Sequence, residues 1–392
     1  MDYLFSDKIS SLQPSAIREI LKAASEPGVI SLAAGNPAPE AFPREAIAAI
    51  TAEILTRRPT AALQYGISEG YEPLRQAVTA LLKQRHGVGR DFDQVIVTSG
   101  AQQAIDLTTK ILCNEGDVVI CENPSFIGAL NTFRSYNVRL RGIEMEDDGL
   151  NLTQLEEALR EEKRARFIYL IANFHNPTGL CTSLAKRREI YALAKRRGVL
   201  ILEDNPYGDL RFAGRDIPSL KSFDEDGLVV YAGSFSKTIA PGLRVGFACL
   251  PAALASKMTV AKQGADVHTG ALAQMICERF LAAADLDGHF HRLREIYRRK
   301  SGLMLDALSA SFPAAVTWTR PEGGLFIWCT LPPAADALKF CRAAAEAQVA
   351  VVPGDAFLAR PDDHSRSFRL NFSTPTDAEI TRGVEILAGL LT

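Results

Sequence analysis

The chain has no CxxC pair, and its seven cysteines (Cys113, Cys121, Cys181, Cys249, Cys277, Cys329 and Cys341) are odd in number. That usage argues against a disulfide framework or a thiolate zinc site and for reduced thiols. His289 and His291 stand two apart on a predicted helix, where side chains diverge, so they make a poor metal pair and no metal is expected. No apolar run approaches the roughly 20 residues of a membrane-spanning helix. A net charge of −2 offers no basis for binding nucleic acid or a membrane surface. The opening residues Met1–Ser10 lack a cationic stretch followed by an apolar core, so no leader is expected and the expected compartment is the cytoplasm. Repeats and low-complexity segments are absent as well. What remains, 392 residues with 47% hydrophobic and 23% charged content, is a globular chain long enough for two or three domains.

Between residues 90 and 245 continuous apolar runs alternate with helical patterns. Val95–Val97, Val118–Cys121, Phe167–Ala172, Val199–Leu202 and Leu228–Tyr231 are apolar without alternation, as expected of strands covered by helices on both faces. The spacing predicts helices from Pro43, over Gly70–Arg85, over Ala271–Ala283 and over Leu286–Ser309. The basic residues of that last helix (Arg292, Arg294, Arg298, Arg299, Lys300) read as a solvated face. Beyond it, Ala314–Trp318, Leu325–Trp328, Val349–Val352 and Ser367–Phe372 read as strands, and Ala335–Glu346 and Thr376–Leu390 as helices. A short helix near Ser15–Ala24, capped by Ser15, and a Gly/Pro-rich loop at Ser31–Pro39 precede the whole. The fold class is α/β. The predicted division is an N-terminal segment 1–44, a large domain 45–285 and a smaller α+β domain 286–392.

In open α/β sheets ligands bind beyond the carboxyl ends of the strands. Here five strands each empty into polar residues at that end: Ser99/Gly100, Asn123/Ser125, Asn176, Asp204/Tyr207 and Ser234/Ser236/Lys237. A lysine just past a buried strand loses hydration and with it some basicity, which suits Schiff-base chemistry. Ser234, Ser236 and Arg244 are residue types that hold a phosphate. A Schiff-base lysine beside a phosphate cradle suggests pyridoxal phosphate. Asp204, closing an apolar strand, needs a cationic partner, and the pyridinium nitrogen supplies one; a capping or salt-bridged role is the alternative. Asn176 and Tyr207 can donate to the ring's phenolate oxygen. Ser99-Gly100-Ala101-Gln102 opens a helix whose amides can take the phosphate. Phe126 either stacks on the ring or is a core residue.

Asn176-Pro177-Thr178-Gly179, Asp204 with Tyr207, and Ser234-x-Ser236-Lys237 with Arg244 resemble, in order and spacing, the class I/II fold-type I pyridoxal-phosphate aminotransferases over nearly the whole chain. Ser15-x-x-Arg18, Gln64-Tyr65-Gly66 and Pro321-x-Gly323-Gly324-x-Phe326-x-Trp328 resemble in particular the 2-aminoadipate, kynurenine and aromatic aminotransferase branch. The resemblance implies a mostly parallel seven-stranded sheet. It further implies a Lys237 Schiff base whose freed amine shuttles the substrate proton, and a homodimer in which Tyr65 reaches the neighbouring subunit's cofactor phosphate. Arg369 matches the arginine that clamps the substrate α-carboxylate, and Gly35 and Asn36 the loop that touches it; taken alone, Arg369 serves equally as a structural strand residue. Two positions depart from many relatives: Phe126 replaces Tyr or Trp, and Asn205-Pro206 replaces smaller or acidic residues, neither with an expected effect on mechanism.

Arg18 bears on the substrate. It either pairs with a nearby Glu19 or Glu26 or, as the resemblance implies, meets a distal carboxylate and swings away for apolar side chains. The expected substrates are therefore acidic amino acids (2-aminoadipate, glutamate) and bulky apolar or aromatic ones, with 2-oxoglutarate as acceptor in a ping-pong reaction. Two other readings stand beside this one at the level of sequence: a lyase or decarboxylase with the same cofactor, and an aminotransferase-like ligand-sensing domain.

Overall fold

A computed structural model describes residues 3–10 and 28–391. The predicted Ser15–Ala24 helix, Ser15 and Arg18 lie outside the described residues. After a two-residue strand β1 (Ile30–Ser31), eight strands build one sheet: β2 (Asp93–Thr98), β3 (Val118–Asn123), β4 (Arg139–Glu146), β5 (Gly149–Leu150), β6 (Ala165–Leu170), β7 (Leu200–Asp204), β8 (Val229–Ser234) and β9 (Gly246–Pro251). Their spatial order is β2-β9-β8-β7-β6-β3-β4-β5. Only β9 and the short hairpin strand β5 run antiparallel to their neighbours. The expected seven strands are all present, with β5 as an addition.

The continuous apolar character of the central strands has the cause inferred from it. Val119, Cys121, Tyr169, Leu202 and Val230 pack on one face of the sheet; Val118, Ile120, Ile168, Ile201 and Val229 pack on the other. Helices cover both faces, among them Ala101–Leu112 and Leu184–Arg197. Because only β9 and β5 oppose the others, the five strands singled out from the sequence point the same way and deliver their polar ends to one edge.

The C-terminal part forms a second, antiparallel sheet from β10 (Thr317–Trp318), β11 (Phe326–Thr330), β13 (Val352–Pro353) and β14 (Ser367–Asn371), in the order β10-β11-β14-β13. The strand predicted over Val349–Val352 is split. Its first half, β12 (Val349–Ala350), pairs in parallel with β1, and its second half joins β14. The strand predicted over Ala314–Trp318 shortens to Thr317–Trp318, which alone meets β11. The final helix Asp377–Gly389 starts on a reciprocal cap between Thr376 and Glu379.

One expectation holds only in part. Along the helix Leu286–Ser311, Arg292, Arg298 and Arg299 are exposed as expected, but Arg294 is half-buried and Lys300 buried, and all five make specific contacts. Arg294 Nε donates to the Asp209 carbonyl and Arg298 Nε to that of Phe212, each at 2.9 Å. Lys300, 2% exposed, donates to the Pro375 carbonyl at 2.5 Å and pairs with Glu40 at 3.3 Å. Arg292 reaches the Ala41 carbonyl, and Arg299 pairs with Asp377. The Asp209, Phe212 and Ala41 carbonyls and the Glu40 carboxylate lie along this helix, so its cations clasp the N-terminal segment, the turn that follows β7 and the start of the last helix together. His289, on the same helix, bonds the Thr238 carbonyl through Nε2 at 2.5 Å.

Candidate active site

Asp204 ends β7 on the sheet's carboxyl edge and is 2% exposed. Its Oδ2 accepts the Tyr169 hydroxyl at 2.9 Å, while Oδ1 has no partner among the described residues. Burial pushes its carboxyl up to about 7, with the Glu122 charge adding to the shift and the Tyr169 bond opposing it. A buried carboxylate with one oxygen unmatched is costly, and that cost is relieved by a ligand presenting a cationic N–H donor.

Past β8 the chain places Lys237 Nζ 2.8 Å from the Gly35 carbonyl. Burial holds this amine down to about 8, helped by the positive charges of Arg244 and Arg369. Ser234 Oγ donates to Ser236 Oγ at 2.9 Å. Arg244 follows the turn Pro241–Leu243 with a left-handed φ of 53°, and its guanidinium reaches the Ser99 carbonyl at 3.2 Å. Gly100 has to be glycine here: its φ is +83°, and a Cβ would lie 2.5 Å from an Arg244 nitrogen. The start of the helix Ala101–Leu112, whose first amides have no intrahelical acceptor, meets Ser234, Ser236 and Arg244 on one cavity wall. A helix N-terminus, an arginine and two hydroxyls together form an anion cradle of phosphate type.

Across the cavity Arg369, buried in β14, donates from Nη1 to Asn176 Oδ1 and from Nη2 to the Ala33 carbonyl, both at 2.7 Å. Its Nε has no partner among the described residues. The guanidinium lies over the rings of Phe326 (4.2 Å) and Phe357 (4.9 Å), and burial lowers its pKa to about 10. Orientation is thus supplied by the protein while one edge of the fork stays available to an anion. Asn176 Nδ2 also stands 3.5 Å from the Tyr207 hydroxyl, whose proton burial holds well above its ordinary range.

A cavity of about 420 Å³ gathers Gly35, Asn36, Ala101, Gln102, Phe126, Asn176, Asp204, Tyr207, Ser234, Ser236, Lys237, Arg244 and Arg369. Four expected residues stand elsewhere or act differently. The Ser99 hydroxyl faces away, donating to Asp266 at 2.7 Å, so Ser99 and Gly100 shape the cradle from behind. The Gln102 side chain donates to Thr132 and to the Gly128 carbonyl, bracing the loop that carries Phe126. Tyr65 is 81% exposed, edge-on to His268, and does not line the cavity of its own chain. The sequence reading missed Tyr169 as the support of Asp204, and it named Phe326 only within a family motif, without its contacts to both Arg369 and Tyr207. Tyr169 sits inside an apolar strand and reads as core; a lone hydroxyl among aliphatics on the face shared with Asp204 was the available signal.

A buried lysine amine of lowered basicity, an unmatched buried carboxylate and an anion cradle around one cavity fit pyridoxal phosphate, and with the unmatched arginine beyond they define a cofactor enzyme acting on amino acids. Residues 27–387 match the family model for aminotransferase class I and II, and the chain belongs to that family. It is 38% identical to aromatic-amino-acid aminotransferase 1 of Thermococcus litoralis, across 99% of this chain and 94% of that one. The multiple substrate aminotransferase of Thermococcus profundus superposes with a TM-score of 0.95 at 36% identity, covering 99% and 97% of the two chains. The α-aminoadipate aminotransferase of Thermus thermophilus, solved with N-(5'-phosphopyridoxyl)-L-leucine, gives 0.90 at 38% identity, with 99% and 97% covered. The activity is pyridoxal-phosphate-dependent transamination on a fold-type I scaffold. Among the described residues no helix is long and apolar enough to cross a membrane, and no group of three side chains could hold a metal ion.

Proposed function

We propose that this aminotransferase takes amino groups from two kinds of donor, acidic (2-aminoadipate, glutamate) and bulky apolar or aromatic, and passes them to 2-oxoglutarate. The observation that carries the assignment of roles is the meeting of three groups on one cavity: the unmatched Oδ1 of Asp204, the Lys237 amine and the unmatched Nε of Arg369. When bound, pyridoxal phosphate supplies an electron sink conjugated to the substrate Cα. Asp204 would hold the ring nitrogen, Asn176 and Tyr207 the ring oxygen, and Phe126 a ring face. Ser234, Ser236, Arg244 and the Ala101 and Gln102 amides would hold the phosphate. Arg369 binds the substrate α-carboxylate, beside Gly35 and Asn36. Lys237 would anchor the cofactor and, once free, move a proton from the substrate Cα to the cofactor carbon it had been bonded to, acting as a base whose pKa is lowered to about 8.

The working unit in this reading is a homodimer. The exposed Leu63, Tyr65 and Ile67 support it, with Tyr65 completing the phosphate site of the partner. We divide the chain into a segment 1–44, a cofactor-carrying domain 45–285 and a small domain 286–392, and place it in the cytoplasm, which its seven free thiols favour.

Two measurements test this reading. The Lys237 amine must be neutral to attack the cofactor aldehyde, so the rate at which cofactor-free enzyme takes up pyridoxal phosphate should rise with pH around a midpoint near 8. A midpoint near 10 would mean that the cleft does not tune this lysine. For substrate range, Arg18→Ala should cost about 10- to 100-fold in kcat/KM for 2-aminoadipate, the worth of one charged hydrogen bond, and leave leucine within about twofold. Equal losses on both would remove Arg18 as the selector.

A further inference from the structure

The residue after Asp204 is Asn205. Its main-chain N–H continues the sheet by donating to the Ala232 carbonyl at 2.9 Å. Its side chain does more. Nδ2 donates to the Tyr231 hydroxyl at 2.7 Å, and Oδ1 accepts from Asn173 Nδ2 at 3.0 Å. Asn173 is itself fixed, because its Oδ1 accepts from Arg187 Nη2 at 2.7 Å. Arg187 is fully buried and also donates to the carbonyls of Ala172, Thr182 and Pro218.

These side-chain contacts run across the carboxyl ends of three neighbouring strands, β6, β7 and β8, tying together the segments through which each strand leads into the active site. Asn173 heads the loop that carries Asn176. Asn205 lies between Asp204 and Tyr207. Tyr231 lies in β8, three residues before Ser234 and six before Lys237. The backbone is shaped to let the amide in: a Cβ on Gly208 would sit 2.6 Å from Asn205 Nδ2 and 2.7 Å from its Oδ1. The amide therefore tucks under Gly208 as the chain rounds from Asp204 towards Leu210. Asn205 does not line the substrate cavity. It faces a separate polar cavity of about 340 Å³ on the far side, with Asn173, Asp209 and Arg211.

We propose that Asn205 is a positioning residue of the reaction, its amide holding the loops of Asn176, of Asp204/Tyr207 and of Lys237 in fixed register. The proposal rests on the site assignment above. Reacting groups displaced by about 1 Å can lose about 100-fold in rate, and these three loops carry most of the groups that meet the cofactor. An amide suits the place because it accepts on one side and donates on the other. An aspartate could accept from both neighbours, with the Tyr231 hydroxyl turned round to donate, but would bring a second negative charge beside Asp204.

The test compares the holoenzyme with Asn205→Leu, Asn205→Asp and Tyr231→Phe. Asn205→Leu, which keeps the branching but is bulkier and makes no polar contacts, should lower kcat about 10- to 100-fold with KM for the amino acid within about threefold. Asn205→Asp should restore most of kcat, while its charge moves the pH midpoint of the lysine-bound cofactor's absorbance upward. Tyr231→Phe, which removes one oxygen, should lower kcat by a smaller factor, and the combination with Asn205→Leu should cost less than the product of the two single losses. If Asn205→Leu does not fold, Tyr231→Phe decides: kcat within twofold and an unmoved absorbance midpoint overturn the proposal, as does equal failure of Asn205→Leu and Asn205→Asp. Borohydride reduction of the wild-type enzyme followed by peptide mapping separates the underlying reading. Cofactor trapped on a residue other than Lys237 sinks the site assignment itself, whatever the Asn205 variants do.

Discussion

Lys237→Ala should reduce the turnover of amino acids by at least about 10⁴-fold, the upper range for loss of a positioned acid–base group, with the covalent anchor lost as well. The variant should purify without a borohydride-reducible cofactor link. Its fold should survive, because among the described residues the amine's only polar contact is the Gly35 carbonyl and the charge it carries is disfavoured in the cleft. Added small primary amines should restore part of the proton-transfer rate if the loss is chemical and not structural. Single-turnover absorbance of the cofactor with a panel of amino acids reads both quantities. A Lys237→Ala enzyme that turns over normally would end the entire functional account.

The second large effect has opposite signs in two states of the protein. Asp204→Asn should cost the holoenzyme roughly 10³-fold in kcat, the scale for losing a preorganised charge at a reacting system. The cofactor-free protein should gain from the same change. Burial raises the Asp204 pKa from 3.8 to about 7. Between those limits the folded chain keeps a proton that the unfolded chain releases, so the wild-type apoprotein loses stability as pH climbs from about 4 to 7. At about 1.4 kcal/mol per unit the loss is of the order of 4 kcal/mol above pH 7, and the uncharged amide escapes it. Denaturation of the two apoproteins across pH should show the asparagine variant more stable at pH 8 and the difference closing near pH 4. Parallel curves would mean that the Asp204 oxygen is not stranded in the empty cleft.

Both predictions concern residues that could be found from the sequence, and the reason is geometric. Strands buried on both faces write themselves as unbroken apolar runs, so the residue at which each run ends is visible without a structure. Asp204 ends the strand of one such run, and Lys237 follows three residues past the end of another. The sequence is silent where the answer depends on what lies opposite. Lys300 and Arg294 look like any cations on a helix until the carbonyls of Pro375 and Asp209 are found against them. The direction of the Ser99 hydroxyl depends on Asp266, 167 residues further on. Tyr169 hid because cross-strand register with β7 is not written in β6. β4 went unremarked because it is a more exposed strand near the sheet's edge, with no sustained apolar run. Asn205 was visible as an oddity but not as a function, since its partners come from two other strands.

The pairing of β1 with β12 bears on the order in which the protein can come into being. Leu32 and Ala33 are held by Ala350, Asn371 and Arg369, more than 300 residues later in the chain. At 5–20 residues per second, a ribosome needs roughly twenty seconds to a minute to deliver those partners after β1 has been made. The eight-stranded sheet closes much earlier, since its last strand ends at Pro251. A nascent chain can therefore assemble the Asp204, Ser234 and Lys237 side of the cleft, and even meet its cofactor, while the carboxylate-binding side is still being synthesised. In the reading proposed above, the Arg369 grip on an α-carboxylate is the last property the chain acquires, and a ribosome stalled before Arg369 would carry a cofactor pocket with nothing to hold that carboxylate.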